Sequence, residues 1–240
     1  MGYQLNGCNT NGLPEYLIKA ILDKHEVKYL VETGTASGDS ARLAASMFEK
    51  VWTIEVIEER QEPDESVSNI EYLCGDSVEL LPAIIKKLKQ LKENNERQWV
   101  LFYLDAHYSG NTPNESGYPE CPVLKEIQAI SEYGEDSIII IDDARLFFGH
   151  PPYPHDPTEW PSICEIFILL REKFPYHHIT ITDDYILCIP LHVREVIDKE
   201  WRGRFHIRYP NDEDKLRQQV KDVHVAFIDK LYKPFLNYIK

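Results

Sequence analysis

The sequence predicts an α/β fold: a doubly wound, mostly parallel seven-stranded sheet with helices on both faces, ending in an antiparallel hairpin. Three observations predict it. Short apolar runs alternate five times with stretches of helical periodicity. Two of those runs, residues 99–105 and 137–143, are apolar almost throughout and end in acids, Asp105 in one and Asp142 and Asp143 in the other. That is the pattern of central parallel strands covered on both faces. Finally, a turn bearing Gly34 and Gly38 joins the first run to a helix start, which opens a ligand crevice at the carboxyl edge of such a sheet.

Residues 1–12, with three Asn and three Gly, read as a flexible arm. A helix over 13–25 follows from the spacing of Leu13, Tyr16, Leu17, Ala20 and Ile21, with Pro14 in the tolerant first turn. Residues 27–31 form the first strand. After the glycine turn, Ala41, Leu43, Ala44, Ala45, Met47 and Phe48 recur at helical spacing, and 50–55 is a second strand ending at Glu55. Polar residues 61–68, with Pro63, read as a loop before a short strand over 69–74. Asp76 and Ser77 suit the cap of an amphipathic helix over 78–91. The strand over 99–105 leads into a loop to residue 122 rich in Gly, Pro and Asn, and a helix over 123–133 precedes the strand over 137–143.

Residues 147–161 hold five prolines, four aromatics and two histidines, too apolar for a solvated linker. They form either a wall at the ligand edge or a cover over the core. A helix over 162–173 leads to a hairpin of 179–181 and 185–189. Right-handed crossovers make the first five strands parallel. Residues 1–190 therefore read as one domain. Residues 191–240 are a charged extension with a late amphipathic helix marked by Val223, Phe227, Ile228, Leu231, Phe235, Leu236 and Ile239. Contact within a homo-oligomer, cover over the sheet and partner docking all remain open for it.

Composition narrows the function. Lys and Arg number 26 against 40 Asp and Glu, a formal net charge of −14 that opposes phosphate backbones and so argues against nucleic-acid partners. No apolar run is long enough to span a membrane and no leader pattern opens the chain, so a soluble cytoplasmic protein without a membrane partner is expected. Five scattered cysteines without metal-type spacing fit reduced thiols.

The glycine turn is the most informative stretch. Its G-x-x-x-G spacing departs from the dinucleotide fingerprint and lacks the Lys of a phosphate loop. Glu32, just before it, repels a pyrophosphate but accepts a hydrogen bond from an ammonium group. Acid, small-residue loop and helix together suit S-adenosylmethionine better than NAD or ATP. Glu55 lies at the offset where an acid holds a ribose diol, although an acid there also starts a helix well. Asp76 and Ser77 are caps that also reach an adenine edge. Asp105, Asp142 and Asp143 bring three carboxylates to one sheet edge, a set of hard oxygen donors suited to Mg²⁺. His107, two residues beyond Asp105 and on the same face of an extended chain, is a candidate proton acceptor. A fourth metal ligand and a structural histidine are the other readings.

With these elements in order, residues 13–190 resemble a class I S-adenosylmethionine-dependent methyltransferase, whose fold is Rossmann-like. More narrowly, Glu32-Thr33-Gly34 to Gly38-Asp39-Ser40-Ala41 and Thr53-Ile54-Glu55 resemble the catechol O-methyltransferase type. The pair Asp142-Asp143 is similar to the macrocin-type sugar O-methyltransferases, where catechol enzymes usually carry Asp-Asn. The resemblance implies that Glu32 holds the methionine ammonium, that the loop residues Gly34, Thr35, Ala36, Ser37, Gly38 and Ser40 meet the cofactor, and that Glu55 binds the ribose. It further implies Asp76 and Ser77 near adenine, a divalent metal, expected to be Mg²⁺, on Asp105, Asp142 and Asp143, and catalysis by Asp105 and His107. The expected reaction is methyl transfer to a hydroxyl of a small molecule: a sugar, a polyol or a catechol-like ring. A metal-free N-methyltransferase and a non-catalytic binding module of the same fold are the alternatives.

Overall fold

The computed structural model describes residues 12–58, 61, 63–64, 66–92, 98–110, 114 and 117–208, with 203–208 as backbone only. The predicted late helix at 223–239, the arm before residue 12 and most of the loop at 111–116 lie outside these residues. The chain divides into two compact units, the first ending at Ile197.

In the first unit seven strands form one sheet in the order β3-β2-β1-β4-β5-β7-β6. They are β1 Val27–Thr33, β2 Lys50–Glu55, β3 Ile70–Cys74, β4 Trp99–Leu104, β5 Ser137–Ile141, β6 His177–Thr182 and β7 Tyr185–Pro190. The first five pair in parallel, and β7 runs antiparallel to both β5 and β6. The expected doubly wound sheet with its terminal hairpin is therefore present. The helices are α1 Glu15–Leu22, α2 Asp39–Ala45, α3 Ser77–Leu91, α4 Val123–Ile130 and α5 Ile163–Lys173, with α6 Arg194–Arg208 beginning at the end of this unit.

Alternation along the central strands sorts the core into two layers. Phe102, Leu104, Ile139 and Ile141 face α3, α4 and α5 through Leu81, Ile84, Ile127, Ile130, Ile166 and Leu170. Leu101, Tyr103, Ile138 and Ile140 face the opposite layer, which holds Leu17, Ile18 and Ile21 of α1 and Ala41 and Ala44 of α2. Both faces of β4 and β5 are thus buried, which explains why those runs show no polar alternation. Val193 and Ile197 also bury in the second layer, so the unit runs past the composition boundary at residue 190. The second unit is described only as the continuation of α6 to Arg208. Among the described residues no helix is long and apolar enough to cross a membrane.

Candidate active site

The strand order reverses direction between β1 and β4, and the carboxyl ends of two strands that diverge in this way leave a crevice. A cleft of about 580 Å³ occupies that place. Gly34, Ala36, Glu55, Asp76 and Ser77 line one part of it, and Asp105, His107, Tyr108 and Trp160 line another.

Gly34 lets the two central strand ends approach. Its φ is +88°, and a Cβ there would lie 2.1 Å from the carbonyl oxygen of Asp105. Only glycine meets both demands. The turn after it is tied down from beneath. The Gly34 and Thr35 N–H groups donate to the Ile54 carbonyl at 2.8 and 3.1 Å. The Ala36 N–H donates to Glu55 Oε2 at 3.0 Å, and the Ile57 N–H to Glu55 Oε1 at 3.1 Å. Each Glu55 oxygen keeps further acceptor capacity while its position is set by backbone donors.

Gly34 and Ala36 apart, Glu32 and the other loop residues lie outside the cleft lining. Glu32 lies inside β1, is 1% exposed, and is not among the residues lining the cleft. Its carboxylate accepts from the Thr53 hydroxyl at 2.5 Å, and Thr53 in turn pairs with Thr35 at 2.6 Å. Burial pushes Glu32 up to about 8, against the hydrogen bond from Thr53. From inside β1 it supports the loop from below through Thr53 and Thr35. Ser37 pairs with Asp39, Gly38 is the left-handed cap of α2, and Ser40 Oγ accepts from the Leu13 N–H at 3.4 Å. None of Thr35, Ser37, Gly38 and Ser40 lines the cleft.

Asp76 caps α3 by accepting from the Val78 N–H at 2.8 Å while still lining the cleft. The Ser77 hydroxyl donates to Glu126 Oε1 at 2.6 Å. Glu126 was not singled out by sequence reasoning, yet it is buried, and desolvation raises it to about 7. A signal was available: Val123, Ile127 and Ile130 define the inner face of α4, and Glu126 falls on that face.

At the other side, ligand atoms of Asp105, His107 and Asp143 all lie within 4.8 Å of one another. His107 Nε2 meets Asp143 Oδ2 at 2.8 Å, and its Nδ1 stands 3.7 Å from Asp105 Oδ1. Asp142, expected with Asp105 and Asp143, is outside this cluster, and His107 is in it. Asp142 accepts from the Tyr103 hydroxyl on one oxygen and from the Asp143 N–H, at 2.7 Å, on the other. Its neighbour Asp143 has φ +55°, which turns its carboxylate to His107 and Arg145 instead. Neither Asp142 nor Asp143 lines the cleft; Asp105 and His107 do.

The electrostatics follow from burial. Desolvation raises Asp105 to about 8 and Asp142 to about 6. Burial also opposes ionisation of Asp143, but the His107 hydrogen bond and charge, with Arg145, hold it below the usual carboxylate range. For His107 burial disfavours the charged ring, yet the bond to Asp143 and the fields of Asp105 and Asp142 carry it above its ordinary value. His107 and Asp143 thus form the ion pair of the cluster.

A stability prediction arises here. Glu32, Asp105 and Glu126 all bind protons more tightly in the folded chain than in the unfolded one. Their contribution is complete at low pH and is lost as pH rises through the folded values; raised His107 acts in the same sense. The ligand-free protein is therefore expected to lose stability between roughly pH 5 and pH 8.5, with Glu32→Gln flattening the decline by on the order of a few kcal/mol. Urea unfolding across that range checks it; a rise in stability with pH would contradict the burial argument.

The stretch at 147–161 supplies part of the wall. Trp160 lines the cleft with its ring 5.5 Å from that of His107, while Phe147 is buried behind it at 5.8 Å. Both readings of that stretch therefore hold, wall at one residue and cover at another.

No family model and no curated protein sequence matches the chain. Among solved structures, human methyltransferase-like protein 13 in complex with SAH is similar over 78% of this chain and 88% of its own, at 10% identity and a TM-score of 0.44. A SAM-dependent methyltransferase from Anabaena variabilis is similar over 73% and 92%, at 13% identity and a TM-score of 0.38. The N-methyltransferase NodS from Bradyrhizobium japonicum is similar over 72% and 89%, at 12% identity and a TM-score of 0.40.

Proposed function

We propose that this chain is a methyltransferase that takes its methyl group from S-adenosylmethionine and transfers it to a hydroxyl of a small molecule, with a divalent metal at Asp105, His107 and Asp143. The observation that carries the reading is a cleft at the reversal point of the sheet, with Gly34, Glu55 and Asp76 on one part of its wall and Asp105 and His107 on another. The acceptor is proposed to be a sugar, polyol or catechol-like ring, small enough for the cleft, and the net charge of −14 argues against nucleic acid.

Glu55, oriented by the Ala36 and Ile57 N–H groups, has acceptor capacity left for two ribose hydroxyls. Asp76 retains its second oxygen for a ligand while Oδ1 caps α3. Glu32 acts from beneath through Thr53 and Thr35, keeping the loop in its ligand-binding shape. When bound, S-adenosylmethionine supplies a methyl group on a sulfonium, and a divalent metal supplies Lewis acidity that lowers the pKa of a coordinated hydroxyl. Two carboxylates and an imidazole fit such an ion, and the nitrogen donor extends the suitable set from Mg²⁺ to Mn²⁺ or Zn²⁺.

His107 has two roles that exclude each other at one atom. With Nε2–H donated to Asp143, loss of the ring's other proton leaves the Nδ1 lone pair on the side of Asp105. That nitrogen either ligates a metal or takes the proton from the acceptor hydroxyl. The close His107–Asp143 pair favours a second reading, a metal-free enzyme in which Asp143 orients His107 as the base.

Calorimetric titration of S-adenosylmethionine into metal-free protein, repeated with excess Mg²⁺ or Mn²⁺ on wild type, Asp105→Ala and Glu55→Ala, tests this. Cofactor binding is expected, weakened about 10- to 100-fold in Glu55→Ala by loss of a charge-assisted hydrogen bond. A separate metal heat should vanish in Asp105→Ala. Cofactor heat without metal heat selects the metal-free reading, and no cofactor heat overturns both.

A further inference from the structure

We propose that Glu120 is a positioning residue of the cleft, whose carboxylate holds the Trp160 indole as a fixed wall facing His107. Glu120 does not line the cleft and is only 3% exposed. A single oxygen of it, Oε2, accepts three N–H groups: Trp160 Nε1 at 2.7 Å, His155 Nδ1 at 3.2 Å and the Asp156 N–H at 3.2 Å. All three donors come from the 147–161 stretch.

The backbone of Glu120 adds two more ties. Its N–H donates to Glu159 Oε2 at 2.7 Å, and its carbonyl accepts from the Tyr108 N–H at 2.7 Å. One residue thus joins the segment carrying His107 and Tyr108 to the segment carrying Glu159 and Trp160. The Trp160 ring, 8% exposed, stands 5.5 Å from the His107 ring and 5.2 Å from the His155 ring. A buried indole N–H requires an acceptor, and a buried carboxylate requires donors, so each makes the other's placement costly to change. The distance between Trp160 and His107 then sets the clearance for whatever ring or chain reaches His107. Calling that part of the cleft the acceptor end rests on the function proposed above; the clamp itself does not.

The test uses the full chain labelled with 5-fluorotryptophan. Its four tryptophans, Trp52, Trp99, Trp160 and Trp201, give four fluorine resonances, and Trp160→Phe assigns the one of interest. In Glu120→Ala the Trp160 resonance is expected to shift and broaden while the other three stay in place. Glu120→Gln, which keeps a carbonyl oxygen in position, is expected to restore it. A Trp160 resonance unmoved in Glu120→Ala, or moved equally in the Gln and Ala variants, overturns the assignment. If Glu120→Ala does not fold, hydrogen exchange of the Trp160 indole N–H in the wild type decides: protection of about 100-fold or more over a free indole is expected, and free exchange overturns the clamp. No cofactor is needed for these readouts. Failure of S-adenosylhomocysteine to bind would count against the proposed function alone.

Discussion

Gly34→Ala is expected to destabilise the chain by about 3 kcal/mol or more, a large fraction of the total stability of a domain. Two costs add at this one position. The φ of +88° strains any residue with a Cβ, and the added carbon would meet the Asp105 carbonyl oxygen at 2.1 Å, a backbone atom that cannot rotate away. To relieve the clash, the end of β4 must move relative to β1, which breaks the Asp105 N–H to Thr33 carbonyl bond of 2.9 Å and displaces Asp105 in the cleft. Gly134→Ala is the matched control. Its φ is +92°, but nothing lies within 4 Å of the added carbon, so it carries the strain without the clash. Urea unfolding of both variants separates the terms. Equal midpoints would show that the two strand ends yield freely and that the approach does not constrain the site.

Under the proposed function, His107→Ala is expected to lower methyl transfer by about 10²- to 10⁴-fold while cofactor affinity stays within a few-fold of wild type. The imidazole lines the cleft beside Asp105 and is the group proposed to take the proton, and its removal also leaves Asp143 without its hydrogen bond from Nε2. Since half-buried Asp105 and Asp143 then face each other without a cation between them, the rate must be referred to folded protein, and His107→Gln is the companion variant that keeps a polar group there. Transfer of labelled methyl from S-adenosylmethionine to an acceptor found by screening catechols, polyols and sugars is the measurement. A His107→Ala rate within a few-fold of wild type would remove His107 from both the base and the ligand roles.

Much of this site was legible in local sequence, and the parts that were not share a cause. Asp105 and His107, two apart at a strand end, were expected on one side and are found in one cluster. β4 ends at Leu104 and β5 at Ile141, so Asp105, His107, Asp142 and Asp143 all lie past the strands, where loop backbone sets their directions. Asp142 goes to the layer that holds Tyr103, and Asp143 reaches His107 only through a left-handed backbone turn that the sequence does not announce. Glu55 was expected from its distance beyond Gly38, and the cleft includes it. Glu32 is expected to hold a ligand ammonium directly or through water; β1 continues to Thr33 and carries its side chain to Thr53 of the neighbouring strand. Glu120 had no local signal, since its donors lie 35 to 40 residues away.

The sequence by itself determined the alternation of strands and helices, the two central strands, the hairpin and the sheet edge at which a ligand site would form. Each of these follows from periodicity, apolar runs and glycine or proline punctuation, which act over a few residues. Tertiary structure alone decided which partner each buried or half-buried acid takes: Thr53 for Glu32, Ser77 for Glu126, Tyr103 for Asp142, His107 for Asp143 and Trp160 for Glu120. A carboxylate removed from water must find donors wherever the folded chain brings them, and those donors arrive from strands and loops 21 to 49 residues distant.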